Sequence, residues 1–389
     1  MRLRHRSGRI VHLACDLDLP PARDLATLIA QLDTYANAVR ARLEVDTLGL
    51  GLWLPPSLAA LLAGNGRARI RLRAELDARG LEVVTLNGVQ YDDELITRSS
   101  QPDWSDPARL EYTLDLARIL VDLLPDDTVR GAVSTLGLGR SDTWDAERER
   151  SCARILGRLS SGLAEIAWQT GRAVRVGFQP APGHVLGNAE QTATALARTD
   201  KDRLGICLDL ADLACSWQDP ADALTRLADA GLSIVQARIA AALEAADPDK
   251  AADALQVRLD DDRQYPVTNP DGAHFDDLPR AFAAAAPGPW RIRCPAPLRT
   301  AARSSLTATT EVWRTAVRHL MAGDTPGTEF IDVATGAWHP IRSAADAGQP
   351  RGWSADPVAQ ADAIAAEYSY AHAELTGRGL SPPTTARAA

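Results

Sequence analysis

Short apolar runs alternate with longer stretches of helical period along most of the chain, and that alternation predicts successive βα units. The first run is Ile10-Val11-His12-Leu13-Ala14-Cys15, followed by an amphipathic stretch over residues 24–43. Thr47-Leu48-Gly49-Leu50-Gly51-Leu52-Trp53 comes next, with helices predicted on both sides of Gly64-Asn65-Gly66. Residues 81–87 make a third strand with a helix over 107–124, and residues 129–136 a fourth, with a long helix over 145–169. The second half continues with strands over 174–178, 204–208 and 234–239, and with helices opening near Asn188 and Asp219. Phe330-Ile331-Asp332-Val333 reads as a strand and residues 356–375 as a closing helix.

Residues 290–294 form a ninth extended run, one more than an eight-stranded barrel needs, and are assigned to an excursion at the rim before a helix over 309–321. The Asp-, Pro- and Gly-rich stretch 247–272 reads as irregular. Alternation without a break in composition predicts one α/β domain, a (β/α)8 TIM barrel over residues 1–378, with a polar tail over 379–389. In such a barrel the polar residues at the C-terminal ends of the strands converge on one small-molecule site.

Composition narrows the class. Apolar residues make up 46% of the chain and charged residues 24%, as in an ordinary globular core. No apolar run reaches the roughly 18 residues of a spanning helix, and the basic start Met1-Arg2-Leu3-Arg4 leads into no secretory signal, so a cytoplasmic location is expected. Five scattered cysteines with no C-x-x-C pair fit reduced thiols. The net charge of −9 argues against nucleic-acid binding, which needs a basic face. Lys201 and Lys250 are the only lysines and both lie in charged turns, which disfavours imine chemistry.

No phosphate-binding P-loop, H-E-x-x-H zinc helix or G-x-S-x-G elbow is present, and Gly137-Leu138-Gly139 lacks the third glycine of a dinucleotide fingerprint. The strand ends offer His12, Asn87, Thr135, Gln179, Asp209 with Asp212, Arg238 and Asp332. Cys207-Leu208-Asp209-Leu210-Ala211-Asp212 is the most informative segment, because two carboxylates three residues apart leave a buried strand. They could form a metal-binding or proton-transfer pair. Equally, Asp209 could bond loop amides while Asp212 or Asp219 caps a helix. His12 could be a core histidine, and Asn87 before Gly88 could simply make a turn.

These rim residues bring a family into view. The chain resembles the EboE metabolite-traffic proteins, a branch of the xylose-isomerase-like sugar-phosphate isomerase/epimerase barrels. The likeness is carried by Val11-His12-Leu13-Ala14-Cys15, Thr85-Leu86-Asn87-Gly88-Val89-Gln90-Tyr91, Pro102-Asp103-Trp104 with Arg109-Leu110-Glu111-Tyr112-Thr113, Ser134-Thr135, Cys207-Leu208-Asp209, Ile234-Val235-Gln236 and Ala242-Leu243, all in the family's order. The resemblance implies isomerase or epimerase chemistry on a small polyol, sugar or sugar-phosphate-like metabolite of a secondary-metabolite pathway, with a divalent metal at the strand ends.

The departures fall on the metal ligands. Gln179 stands where the family has a glutamate, Asp212 where it has a histidine, and Arg293-Cys294-Pro295 replaces a segment with two histidines. An oxygen-only remainder of Gln179, Asp209, Asp212 and Asp332 could hold at best a hard ion such as Mg²⁺ or Mn²⁺, so the expectation is a weak metal or none. Asp209 or Asp212 is then the expected base, with His12 as a second acid/base and Arg238 or Arg293 as electrostatic stabiliser. Asn87, Tyr91, Gln179, Arg238 and Arg293 are the expected substrate-binding residues, and the arginines favour an anionic ligand. The alternative is a non-catalytic barrel that binds a metabolite or a partner protein.

Overall fold

Eight of the nine apolar runs become the parallel strands of one closed barrel: β1 (Ile10–Asp16), β2 (Leu48–Trp53), β3 (Leu81–Gly88), β4 (Arg130–Leu136), β5 (Ala173–Gln179), β6 (Leu204–Asp209), β7 (Ile234–Ile239) and β8 (Phe330–Ala334). The computed structural model describes residues 1–17, 21–91, 101–259, 264–298, 305–334 and 357–382. Each strand pairs with its successor, and β8 pairs with β1 to close the ring. A short strand, Arg2–Arg4, adds antiparallel to β1 at the N-terminal end of the barrel.

The helices begin where the sequence provides a side-chain acceptor for their unpaired amides. Asp106 caps the helix Pro107–Leu123 through the amide of Ala108, and Asp145 caps Ala146–Thr170 through the amides of Glu147 and Arg148. Asn65 separates Pro56–Gly64 from Gly66–Ala78 and caps the second. No helix among the described residues is long and apolar enough to cross a membrane.

Inside the barrel, side chains alternate with a period of two, which stacks them in layers. The β8–β1 register pairs Phe330 with His12, Asp332 with Ala14 and Ala334 with Asp16. The ring of His12 stacks on Phe330 at the floor, with centroids 5.6 Å apart. One layer higher, Asp332 meets Thr85 and Gln236. The next residues in step on the same strands (Asp16, Asn87, Arg238 and Ala334) open onto the C-terminal rim.

The run over 290–294 is indeed an excursion. Between β7 and β8 the chain forms a five-stranded antiparallel sheet, ordered His274–Phe275, Val267–Thr268, Trp290–Ala296, Ala241–Ala245, Thr307–Ala308. One buried apolar cluster runs continuously from the barrel into this sheet through Leu243, Val267, Trp290 and Ile292. The stretch read as irregular contains a helix, Pro248–Leu259, that buries Ala251 and Leu255 four residues apart. Its acidic and alanine-rich composition concealed that spacing. At the other end, Ser381, in the stretch expected as a tail, exchanges backbone hydrogen bonds with Arg4 of 2.7 and 2.9 Å. Residues 383–389 of that stretch lie outside the described residues.

Candidate functional site

A cavity of about 250 Å³ lies between the C-terminal strand ends and the inserted sheet. Asp16, Trp53, Asn87, Gln179 and Arg238 line it from the barrel, and Asp212 from the helix after β6. Thr268, His274, Asp276 and Arg293 line it from the inserted sheet and its loops. His184 and Gly183, in the loop after β5, close one side. At Gly183, φ is +81° and a Cβ would fall 2.7 Å from the ring of His274, so glycine suits both the turn and the packing.

The segment singled out by the sequence sits at the bottom of this cavity. Asp209 ends β6 with its side chain fully buried. Its Oδ1 accepts from the amides of Ala211 and Asp212 at 2.9 and 3.1 Å, capping the helix Leu210–Cys215. Its Oδ2 lies 2.8 Å from Nη2 of Arg293 and 3.1 Å from Nη1 of Arg238. Asp212, on the first turn of that helix, accepts from Nε of Arg293 at 2.5 Å through Oδ1 and from Nε2 of Gln179 at 2.7 Å through Oδ2. Arg238 also donates through Nε to Asp16 at 2.9 Å. Both rim arginines therefore reach Asp209.

Three carboxylates thus enclose two guanidinium groups. Burial alone would lower the pKa of Arg293, yet Asp209 and Asp212 beside it raise it above the ordinary guanidinium value. Burial pushes the Cys215 thiol, which also lines the cavity, upward and disarms it as a nucleophile. Burial lowers the pKa of both His184 and His274, so each imidazole is neutral at pH 7 and able to accept a proton. With three carboxylates against two guanidiniums the core of the site carries no positive excess, and the expected preference for an anionic ligand loses its basis.

Several candidate residues move. His12 lies at the floor, two layers below Asp16, because β1 runs to Asp16 rather than ending near Cys15. Asp209 does not line the cavity, so it orients the arginines rather than facing a ligand. Tyr91 packs on the helix Pro107–Leu123 instead, edge-on to Tyr112 at 5.3 Å with Arg109 over its ring at 5.1 Å. Arg109 itself is buried and donates to the carbonyls of Pro102 and Gly88. Asn87 lines the cavity, and its Oδ1 accepts from the amide of Val89 at 3.1 Å and from Oγ of Ser134 at 3.2 Å. Thr135 is buried within β4 and does not line the cavity.

The sequence reasoning missed Asp16, Trp53, His184 and His274. Asp16 was findable as the first charged residue after the β1 run, and Trp53 as the last residue of β2. His184 and His274 come from loop and insert, where no strand period points to them.

The proposed oxygen-only metal set does not fit a divalent ion. Every carboxylate oxygen of Asp209 and Asp212 already accepts from an N–H group, and the amide nitrogen, not the oxygen, of Gln179 faces Asp212. Asp332 is a layer away with Thr85 and Gln236. Among the described residues no group of three or more His, Cys, Asp or Glu side chains is arranged to hold a metal.

No family model matches the chain, and no curated protein matches it in sequence. Solved structures do resemble it. D-psicose 3-epimerase from Clostridium cellulolyticum H10, solved with D-tagatose, aligns over 93% of this chain and 99% of its own at 12% identity and a TM-score of 0.51. A xylose isomerase-like TIM barrel protein from Mycobacterium smegmatis, solved with magnesium, aligns over 96% of this chain and 94% of its own at 14% identity and a TM-score of 0.49. A xylose isomerase domain protein from Alicyclobacillus acidocaldarius subsp. acidocaldarius aligns over 94% of this chain and all of its own, at 14% identity and a TM-score of 0.49. At 12% identity the likeness to the epimerase establishes the fold, a (β/α)8 barrel, and nothing finer.

Proposed function

We propose that this chain is an isomerase- or epimerase-type enzyme that acts on a small, neutral, polyhydroxylated metabolite in the rim cavity. The reading covers a polyol-derived compound or a sugar, with an EboE-like role in a secondary-metabolite pathway; of the substrates the resemblance implies, the sugar-phosphate-like one suits the balanced lining least. One observation carries it. The carboxylates of Asp16 and Asp212, the guanidiniums of Arg238 and Arg293, and the amides of Asn87 and Gln179 all line one cavity of about 250 Å³. Hydroxyl groups both donate and accept, and a balanced set of acceptors and donors suits them better than it suits a strongly charged ligand.

The chemistry asks for a base that takes a proton from a carbon next to a carbonyl and for a cation beside the oxygen that gains charge. Asp212 is the base in this reading, since it faces the cavity while Asp209 does not. The proton returns to the neighbouring carbon for isomerisation, or to the opposite face of the same carbon for epimerisation. A neutral His184 or His274 is available to move a hydroxyl proton.

The test is solvent exchange. The protein, with and without chelator, is incubated in D₂O with a panel of aldoses, ketoses and the ketone forms of cyclic polyols, and followed by NMR. Deuterium entering a carbon next to a carbonyl, with exchange lost in Asp212→Asn while binding persists, supports the reading. Saturable binding without exchange for any ligand rejects it in favour of a non-catalytic metabolite-binding barrel.

A further inference from the structure

Asp209 ends β6, Asp212 follows one turn later, and Gln179 ends β5, so three oxygen-bearing side chains gather at one point of the rim. Gln179 bonds to Asp212 through its amide nitrogen, and the group between the two carboxylates is the guanidinium of Arg293. Its Nε binds Asp212 and its Nη2 binds Asp209, while Nη1 makes no hydrogen bond among the described residues. The side chain is 7% exposed and lines the cavity, which leaves Nη1 as its edge toward the enclosed space. Arg293 does not come from a barrel strand. It sits on Trp290–Ala296 of the inserted sheet, where its backbone N–H donates to Pro266 at 2.8 Å.

We infer that Arg293 is the resident cation of this site, filling between Asp209 and Asp212 the place a divalent ion would take, and offering Nη1 to a substrate oxygen. The planar fork of a guanidinium matches two carboxylates in a way a compact ammonium cannot. It holds one positive charge instead of two, and it cannot be removed by a chelator or exchanged. The offer of Nη1 to substrate rests on the isomerase reading. The cation assignment does not.

Removing the guanidinium leaves Asp212 with no ionic partner among the described residues and Asp209 with Arg238 alone, and such an undercompensated pair attracts a hard cation. The test is therefore a gain of function read without substrate, by calorimetric and paramagnetic titration with Mn²⁺ alone. The wild type is expected to bind no Mn²⁺ up to about 1 mM, the weak limit of oxygen-ligand sites. Arg293→Met is expected to bind one Mn²⁺ at least tenfold more tightly than that limit, and Arg293→Met with Asp209→Asn to lose it again. Arg293→Gln, which keeps a polar side chain, is made in parallel in case Arg293→Met fails to fold.

Stoichiometric Mn²⁺ in the wild type, lost in Asp209→Asn, overturns the inference, because the ion then displaces the guanidinium. A folded Arg293 variant that binds none overturns it too. The two proposals fail separately. Gained Mn²⁺ binding with no solvent exchange leaves Arg293 as the cation and removes the isomerase reading. Exchange that chelator abolishes in the wild type does the reverse.

Discussion

Burial disfavours the charge of Asp332, and replacing this residue with asparagine tests the layered barrel interior directly. It sits one layer below the cavity with 3% of its surface exposed. Thr85 Oγ1 lies 2.9 and 3.1 Å from its two oxygens, and Gln236 Nε2 lies 2.5 Å from Oδ2. Burial pushes its pKa from 3.8 up to about 7 and the charge of Asp16 adds to the rise, while Thr85, Arg238 and Gln236 oppose it.

The sign follows from proton linkage. The folded state holds this proton more tightly than the unfolded chain, so folding takes up a proton between pH 3.8 and about 7. The stabilisation is complete below 3.8, falls as pH rises through that window, and levels off above about 7. At about 1.36 kcal/mol per pKa unit, integration from pH 5 to pH 8 gives a loss of about 2–3 kcal/mol from this one group. Asp332→Asn removes the titration and keeps the shape. Its oxygen can still accept from Thr85, and its new NH₂ can donate to Gln236 Oε1, which has no partner among the described residues. Denaturant titrations of both proteins at pH 5, 6.5 and 8 should therefore show the stability difference moving about 2–3 kcal/mol in favour of Asp332→Asn. A difference that stays constant across the three pH values would mean that Asp332 is ionised throughout, and the buried-layer argument would fall with it.

Two further substitutions probe the same stack. A Cβ at Gly51 would lie 2.6 Å from Asp332 Oδ2 and 3.3 Å from Thr85 Oγ1, so Gly51→Ala should cost about 1–3 kcal/mol by denaturation, and unchanged stability would show that the layer has room to spare. His12 is held neutral by burial, helped by Arg2, with its pKa lowered to about 4. His12→Gln should leave ligand affinity, solvent exchange and their pH profiles as they are between pH 5 and 8, and a folded variant without exchange would put His12 back in the chemistry.

The barrel was legible because its eight strands are short, mostly apolar and largely buried runs set apart by stretches of helical period. The site was most legible where a polar residue stands at or next to the end of a run, as at Asn87, Gln179, Asp209 and Arg238. Layer assignment requires counting in twos from a known floor, and the sequence does not mark the floor. His12 and Asp332 were therefore placed at the rim on the strength of being polar, while Asp16 went unread. The ion pairs were less legible still. That Arg238 reaches Asp209 follows from β6 and β7 being neighbours, whereas the reach of Arg293 depends on how an insert some 50 residues further along folds back, which no local period encodes.

That difference has a physical consequence for how the site is assembled. The barrel alone brings Asp16, Asp209 and Asp212 together with one guanidinium, Arg238, which binds Asp16 and Asp209 and makes no bond to Asp212. Three buried carboxylates against one cation is an arrangement in which desolvation outweighs attraction. The inserted sheet supplies the second cation and, with it, the only ionic partner of Asp212 among the described residues. Its outer loop is tied to the barrel rim by Arg140 and Asp276, 3.0 Å apart. The insert that roofs the cavity is thus also what makes its floor electrostatically tenable, so docking of the sheet and formation of the charged site are one event.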